Sequence, residues 1–254
     1  MGTSRQNGSL YTNIQNKVAT VEFGHPASNS FPLELLKRLT DEFNKLSTDP
    51  AVHVIVLKSE ESKVFCAGAS FDELSAVSTP AEGKEFFMGF ANVINAMRKC
   101  SKLIIGRVQG KAVGGGVGLA AACDYALATE SASIKLSEFT VGLGPFVIAP
   151  AVERRVGVSA LADLTLNAHE WKNAYWAKEK GLYAKVFDSI KELDKEVEIL
   201  TDKLVTYNPD ALKEMKKVFW EGTEHWDQLL TQRAEISGKL VLSEFTKNAL
   251  KKFN

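Results

Sequence analysis

Three cysteines, Cys66, Cys100 and Cys123, in a chain of 254 residues are too few, and odd in number, for a disulfide framework. No CxxC or Cys/His pair stands at metal-ligand spacing, so no metal site is expected. The three read instead as small core residues, since free cysteine is among the most buried residue types. Net charge is missing as well: Lys plus Arg and Asp plus Glu each number 31. That balance excludes the broad basic footprint of a nucleic-acid or membrane-surface protein, while leaving room for a local basic spot that holds a phosphate. There is no apolar run of the roughly 18 residues that a membrane span needs. The opening "MGTSRQNGSL" has neither the apolar centre of a secretory signal nor the Arg-rich amphipathic character of a transit peptide. A reduced, cytoplasmic setting with no nucleic-acid and no membrane partner is the expectation. Internal repeats and low-complexity tracts are also absent. What remains is ordinary globular material, 45% hydrophobic and 24% charged, long enough to bury a large core.

Strand-like and helix-like segments alternate over the first two-thirds of the chain. "IQNKVATVEF" (Ile14 to Phe23) is β-rich and partly alternating. "PLELLKRLTDEFNKLS" opens with Pro32 and sets Leu35, Leu36, Leu39, Phe43 and Leu46 at helical spacing. "VHVIVLK" (Val52 to Lys58) and "KLIIGRVQG" (Lys102 to Gly110) read as buried strands, with a helix, "EGKEFFMGFANVINAMRKC", between them. "YALATE" and "SIKLSE" give two further short strands. This alternation argues for an α/β layered core. From about Ile190 the strand signal stops. Three or four charged, amphipathic helices follow, broken at Asn208-Pro209 and at Gly238. The chain is therefore divided into a core over residues 1–190 and a helical region over 191–254.

One stretch resists a purely structural account. "GKAVGGGVGLAAACDYALA" places Gly114, Gly115 and Gly116 at the end of a strand, with Gly118 two positions on. Such a run loses backbone entropy on folding, so something must approach this backbone closely. A phosphate loop is excluded because no GK[ST] follows. Gly116-x-Gly118-x-x-Ala121 matches the dinucleotide spacing, but the helix ends before about Asp124, too soon for a parallel crossover of a dozen or more residues. The remaining use is an oxyanion hole, in which backbone amides point at an oxygen that gains charge. A second donor is then needed, and "VFCAGASFDEL" (Val64 to Leu74) offers another strand end running into a small-residue turn.

These two blocks, followed by "IKLSEFTVGLGP" and preceded by the Pro-x-x-Asn turn of "VEFGHPASNSF", resemble in order and spacing the successive motifs of the crotonase superfamily, the enoyl-CoA hydratases and isomerases. The resemblance spans nearly the whole chain. It implies a crotonase-type spiral of repeated β-β-α units with a C-terminal helical layer that packs homotrimers, which pair into hexamers. It implies an acyl-CoA substrate, with coenzyme A as part of that substrate and no separately bound cofactor. The two oxyanion donors would be the amides of Ala69 and Gly115. Coenzyme A contacts would come from Ala27, Ser28, Ala67, Ala69, Ser70 and Phe71, although the family usually carries Asp at position 70 and often Lys at position 72. The tail Lys251, Lys252 and Phe253 resembles family tails that reach a CoA phosphate.

Two departures bear on the chemistry. Hydratases of the family use two glutamates, and the first of these positions is Gly118 here; the second is Glu138. Where the family typically reads P-G-x-G-G, this chain has "GPFVIAP", so that Phe146 replaces a glycine near the water site. Gly118 and Phe146 are thus expected to shape the substrate pocket, with Gly118 leaving space beside the thioester for water or a branched acyl group. The resemblance extends to hydratases that work with a single glutamate, and together with that expected room this tips the reading toward hydration, with a one-base Δ3,Δ2-enoyl-CoA isomerase as the alternative. A non-catalytic acyl-CoA-binding protein is the second alternative, and thioester hydrolysis or decarboxylation a further one. Asp124, Asp163 and His169 are ionisable but fit no motif.

Overall fold

The computed structural model describes residues 7–60 and 63–252. Strands β1 (Ser9–Gln15) and β2 (Val18–Gly24) form an antiparallel hairpin. Asn16 and Lys17 between them both have positive φ, 50° and 66°, the handedness that a two-residue hairpin turn requires. The β-rich stretch read over Ile14–Phe23 is therefore the end of one strand, a turn and a second strand. The sequence conceals the turn because no glycine marks it and lysine seldom adopts this conformation.

Five strands run parallel from there. β2 is followed across the sheet by β3 (Val54–Ser59), β5 (Leu103–Val108), β7 (Tyr125–Thr129) and β9 (Lys185–Phe187), giving a six-stranded sheet with β1 at its edge. A second, three-stranded parallel sheet holds β4 (Val64–Cys66), β6 (Lys111–Val113) and β8 (Ile134–Lys135). Each turn of the chain lays one strand in the large sheet and the next in the small one, β3 then β4, β5 then β6, β7 then β8, as the expected β-β-α spiral requires. The return paths run through α2 (Phe71–Ala76) and α3 (Pro80–Lys99) after β4, and α4 (Gly115–Ala122) after β6.

Local chemistry explains the helix boundaries. In α1 (Leu33–Thr48) Leu35, Leu36, Leu39, Phe43 and Leu46 are all fully buried, so the stripe read from spacing is the core face. Thr79 and Glu82 cap α3 reciprocally: the Thr79 hydroxyl accepts the Glu82 amide at 3.2 Å and Glu82 accepts the Thr79 amide at 3.3 Å. The three cysteines are buried as expected, and burial pushes the thiols of Cys66 and Cys123 up to about 12.

After α5 (Ala149–Leu166) and α6 (Ala174–Glu179), four helices close the chain: α7 (Ile190–Leu204), α8 (Pro209–Phe219), α9 (Trp226–Leu240) and α10 (Glu244–Leu250). The expected break at Asn208-Pro209 is real, with the Asn208 side chain capping α8. The expected break at Gly238 is not, because Gly238 lies inside α9. A side chain there would meet the Lys84 amide nitrogen at 2.5 Å, so this glycine permits a close crossing with Gly83 of α3 rather than ending the helix.

Nor does a gap separate the core from the helices after residue 190. Leu193 and Val197 of α7 cover Val54, Ile105 and Leu127 of the large sheet, and buried Arg107 of β5 holds Asp194 with two hydrogen bonds, at 2.7 and 3.1 Å. In α8, buried Lys216 pairs with buried Asp124 at 2.6 Å, and the Trp220 indole donates to the same carboxylate at 2.7 Å. Asp124 thus anchors a helix. No helix among the described residues is long and apolar enough to cross a membrane.

Candidate active site

The short strands of the small sheet deliver the candidate residues to one place. β4, β6 and β8 lie side by side in parallel, with Cys66 level with Ala112 and Val113 level with Lys135. Their C-terminal ends are therefore adjacent. β4 runs into Ala67-Gly68-Ala69, β6 into Gly114-Gly115, and β8 into Ser137-Glu138. These seven turn residues line one pocket, with about 630 Å³ of non-atom space counting its open mouth. Leu74, Phe87, Phe90, Val141, Leu143, Phe146, Val147 and Ile148 supply most of the remaining wall.

The backbone amides of Ala69 and Gly115 are free to act. Phe31 pairs with position 69 through the Gly68 carbonyl (2.8 Å) and the Ser70 amide (3.0 Å). That pattern turns the Ala69 N–H to the opposite side, and among the described residues it has no backbone acceptor. Gly115 is the first residue of α4, where an amide has no intrahelical partner. The two turns touch: a side chain on Gly68 would stand 3.3 Å from the Gly115 nitrogen. Gly68 and Gly114 have φ of +88° and +51°, so glycine is needed at both for conformation as well as space.

The triplet has separate duties. A side chain on Gly114 would stand 2.8 Å from Oε1 of Glu138, one on Gly115 would enter the Phe90 ring, and one on Gly116 would meet the Cys66 carbonyl at 2.5 Å. The first of these lets the carboxylate lie against the backbone beside the free amides.

Glu138 opens a one-turn 3-10 helix, Glu138–Val141, directly after β8. Its Oε2 is cut off from solvent and has no hydrogen-bond partner. Burial raises the carboxyl from 4.5 to about 7, against a smaller downward pull from its own backbone amide. The turn is clamped from the C-terminal layer. Gly142 follows it at φ +79°, its carbonyl accepts the buried Thr246 hydroxyl of α10 at 3.2 Å, and Phe245 packs over it.

The other expected site residues divide. Ala67, Ala69, Phe71 and Phe146 line the pocket. Phe71 stands half-exposed at its mouth and also faces an adjoining groove with Trp171, Phe245 and Lys252. Ser70 does not line the pocket: its hydroxyl caps α2 by accepting the Glu73 amide at 3.4 Å, which is a physical reason for serine at this position. Ala27 and Ser28 lie outside the pocket on an exposed turn, and their amides are engaged with the His25 ring and the Pro26 carbonyl. The Ser28 carbonyl accepts the Ala67 amide at 3.1 Å, so this turn braces the loop that carries the Ala69 amide. Lys251 and Lys252 line neighbouring surface cavities, and Phe253 lies outside the described residues.

Gly118 requires a correction. It is buried in α4 and is not part of the pocket wall. The space beside it is filled: a side chain at 118 would stand 2.5 Å from Cγ2 and 2.7 Å from Cβ of Ile148. Ile148 sits at the second glycine of the P-G-x-G-G pattern, where Pro145, Phe146, Val147, Ile148 and Ala149 run here. Ile148 thus occupies the space beside Gly118, and no room for water is left there. Gly118→Glu alone is therefore expected to destabilise the fold by about 3 kcal/mol or more, through overpacking and burial of a charge. Gly118→Glu combined with Ile148→Gly should recover most of that loss in urea unfolding. A single variant as stable as the wild type would show that Ile148 does not control this space.

Two further residues complete the arrangement. Asn29 is buried and stitches the Pro-x-x-Asn turn to β4, accepting the His25 amide at 3.1 Å and donating to the Val64 and Glu60 carbonyls at 2.9 and 3.2 Å. Ser237 reaches the pocket from α9.

Comparison with known proteins agrees with this geometry. The family model described as enoyl-CoA hydratase/isomerase matches residues 13–252. The chain belongs to the enoyl-CoA hydratase/isomerase family. It is 28% identical to the short-chain-enoyl-CoA hydratase of Clostridium acetobutylicum over 94% of this chain and 92% of that one. It is also 28% identical to the peroxisomal Delta(3,5)-Delta(2,4)-dienoyl-CoA isomerase of Arabidopsis thaliana, over 77% of this chain and 74% of that one. A crystal structure of an enoyl-CoA hydratase from Mycobacterium avium superposes with a TM-score of 0.83 at 25% identity, covering 97% of this chain and 95% of that one. The fold is the crotonase fold of this family.

Proposed function

We propose that this enoyl-CoA hydratase/isomerase family member moves protons on the acyl group of an enoyl thioester, with Glu138 as its single acid–base group. The thioester oxygen lies between the Ala69 and Gly115 amides, which hold the negative charge of the enolate as it forms. Glu138 takes a proton from the α-carbon, leaving a dienolate, and returns it at the γ-carbon. The double bond shifts one position and nothing is added or lost. Coenzyme A enters as part of the substrate. A carboxyl held near 7 suits this task, because it is available both as a base and, once protonated, as an acid at neutral pH.

The observation that carries this reading is that Glu138, lying against Gly114, is the one carboxylate among the described residues on a pocket wall that also holds Ala69 and Gly115, while Ile148 fills the space beside Gly118. That filled space moves the balance from hydration to isomerisation. Hydration stands as a second reading because the relative sharing 94% of this chain is named as a hydratase. A panel of enoyl-CoA thioesters followed by mass spectrometry separates the two. Isomerisation leaves the mass unchanged and moves the double bond, hydration adds one water, and hydrolysis frees CoA. A panel that binds and gives only the hydrated product would overturn the isomerase reading.

A further inference from the structure

Beyond Glu138, the pocket wall contains no ionisable side chain among the described residues. Leu74, Phe87, Val141, Leu143 and Val147 form its apolar part, and the nearest hydroxyls are Ser137 and Ser237, the second already donating to the Arg233 carbonyl at 3.2 Å. Leu74, buried in α2, has a second face. It also lines a separate open cavity, with about 830 Å³ of non-atom space, whose wall includes Lys247 and Lys251. Among the described residues neither lysine has an ion-pair partner. One leucine thus lines both an apolar pocket whose wall carries a carboxylate and an open cavity whose wall carries two lysines.

We propose that the acyl pocket selects uncharged, apolar acyl chains and rejects acyl groups bearing a distal carboxylate, and that Leu74 is the residue that sets this selection by walling off the Lys247–Lys251 cavity. The inference rests on the acyl-CoA reading above. A distal carboxylate in the pocket would be buried with no cation to meet it among the described residues and only the Ser137 hydroxyl as a side-chain donor not already engaged, and burial of an unpaired ion is costly. The same pocket already holds Glu138, whose like charge adds to the penalty. An alkyl end of equal length meets only apolar neighbours. Shortening Leu74 joins the two cavities and gives a distal carboxylate a path to the lysines.

Saturated thioesters test this apart from turnover, because they bind without reacting. The probes are hexanoyl-CoA and adipoyl-CoA, which share chain length and differ in the terminal carboxylate. By calorimetry at pH 8, wild-type protein is expected to bind adipoyl-CoA at least about 100-fold more weakly than hexanoyl-CoA. Leu74→Ala is expected to close the gap to within about 10-fold, and Leu74→Ala with Lys247→Ala and Lys251→Ala to reopen it. Lowering the pH to 5, where the adipoyl carboxyl begins to protonate, should narrow the wild-type gap, and this holds whether or not Leu74→Ala folds. Equal binding of both probes by the wild type overturns the selection. A gap that persists unchanged at pH 5 means that shape rather than charge discriminates, and overturns it too. A folded Leu74→Ala that keeps the full gap overturns the role of Leu74. Failure of both probes to bind is a different result: it overturns the acyl-CoA reading itself.

Discussion

Glu138→Gln is expected to abolish exchange of substrate protons with deuterated water while CoA-ester binding survives. Glutamine keeps the size and the place against Gly114 but cannot accept a proton. General acid–base groups contribute roughly 10²–10⁴-fold to rate, and with no second carboxylate on the pocket wall nothing can take over, so the upper part of that range is expected. The exchange reports proton abstraction directly, whether the net reaction is isomerisation or hydration. Equal exchange by both proteins would show that another group is the base.

The wild-type pH profile follows from the same carboxyl. Burial holds it near 7 rather than 4.5, so the base form fills in as pH rises through about 7 and proton abstraction falls away below it. Stability runs the other way. A carboxyl whose folded value is raised favours the folded state while it stays neutral, a contribution present in full below about 4.5 and lost as pH rises through about 7. Glu138→Gln should therefore unfold at higher urea than the wild type at pH 8.5, by at most about 3 kcal/mol, with the difference vanishing near pH 4. A cost to stability of this kind above neutral pH is what the proposed proton-transfer role of Glu138 entails.

Much of this was legible in the sequence, for definite reasons. The α1 stripe was readable because helical burial repeats with a fixed period. The two glycine loops of the pocket were readable because glycine three times in succession calls for a close backbone approach. What escaped depends on contacts between distant positions. Gly238 looks like a helix end in isolation, and only its crossing with Gly83 shows why it lies within a helix. Ser70 looked like a lost ligand side chain, yet its work is to cap the helix that it begins. Gly118 stood out in the sequence as a departure from a pattern, whereas Ile148, thirty positions on, did not. Taken singly, the first suggested room for water. In space they are complementary, and the second fills the room that the first leaves.

The oxyanion assignment calls for a change at Gly115 that removes only the N–H. A proline would remove it, but any side chain atom at 115 enters the Phe90 ring, so loss of activity would report misfolding as readily as lost charge stabilisation. A backbone ester, with glycolic acid incorporated in place of Gly115, replaces N–H by O and adds no atom toward Phe90. Gly115 is the first residue of α4 and its amide has no intrahelical partner, so the helix loses no donor; the ester weakens only the Gly114 carbonyl, which accepts the Val117 and Gly118 amides at 2.9 and 3.2 Å, and a small fall in the thermal midpoint is expected. Loss of one oxyanion donor costs on the order of 10²–10³ in rate, and here that loss should fall on turnover and on enolate exchange more than on binding of a saturated thioester. The reason is that the donor gains most when charge develops on the oxygen, which happens only along the reaction. Ala69 provides the matching test, since its amide faces away from the Phe31 bridge and an ester there removes no donor from it, weakening only the Gly68 carbonyl that accepts the Phe31 amide at 2.8 Å. The two esters together should cost less than the product of their separate effects if both amides hold the same oxygen. A folded Gly115 ester that turns over at the wild-type rate would place the thioester oxygen somewhere else.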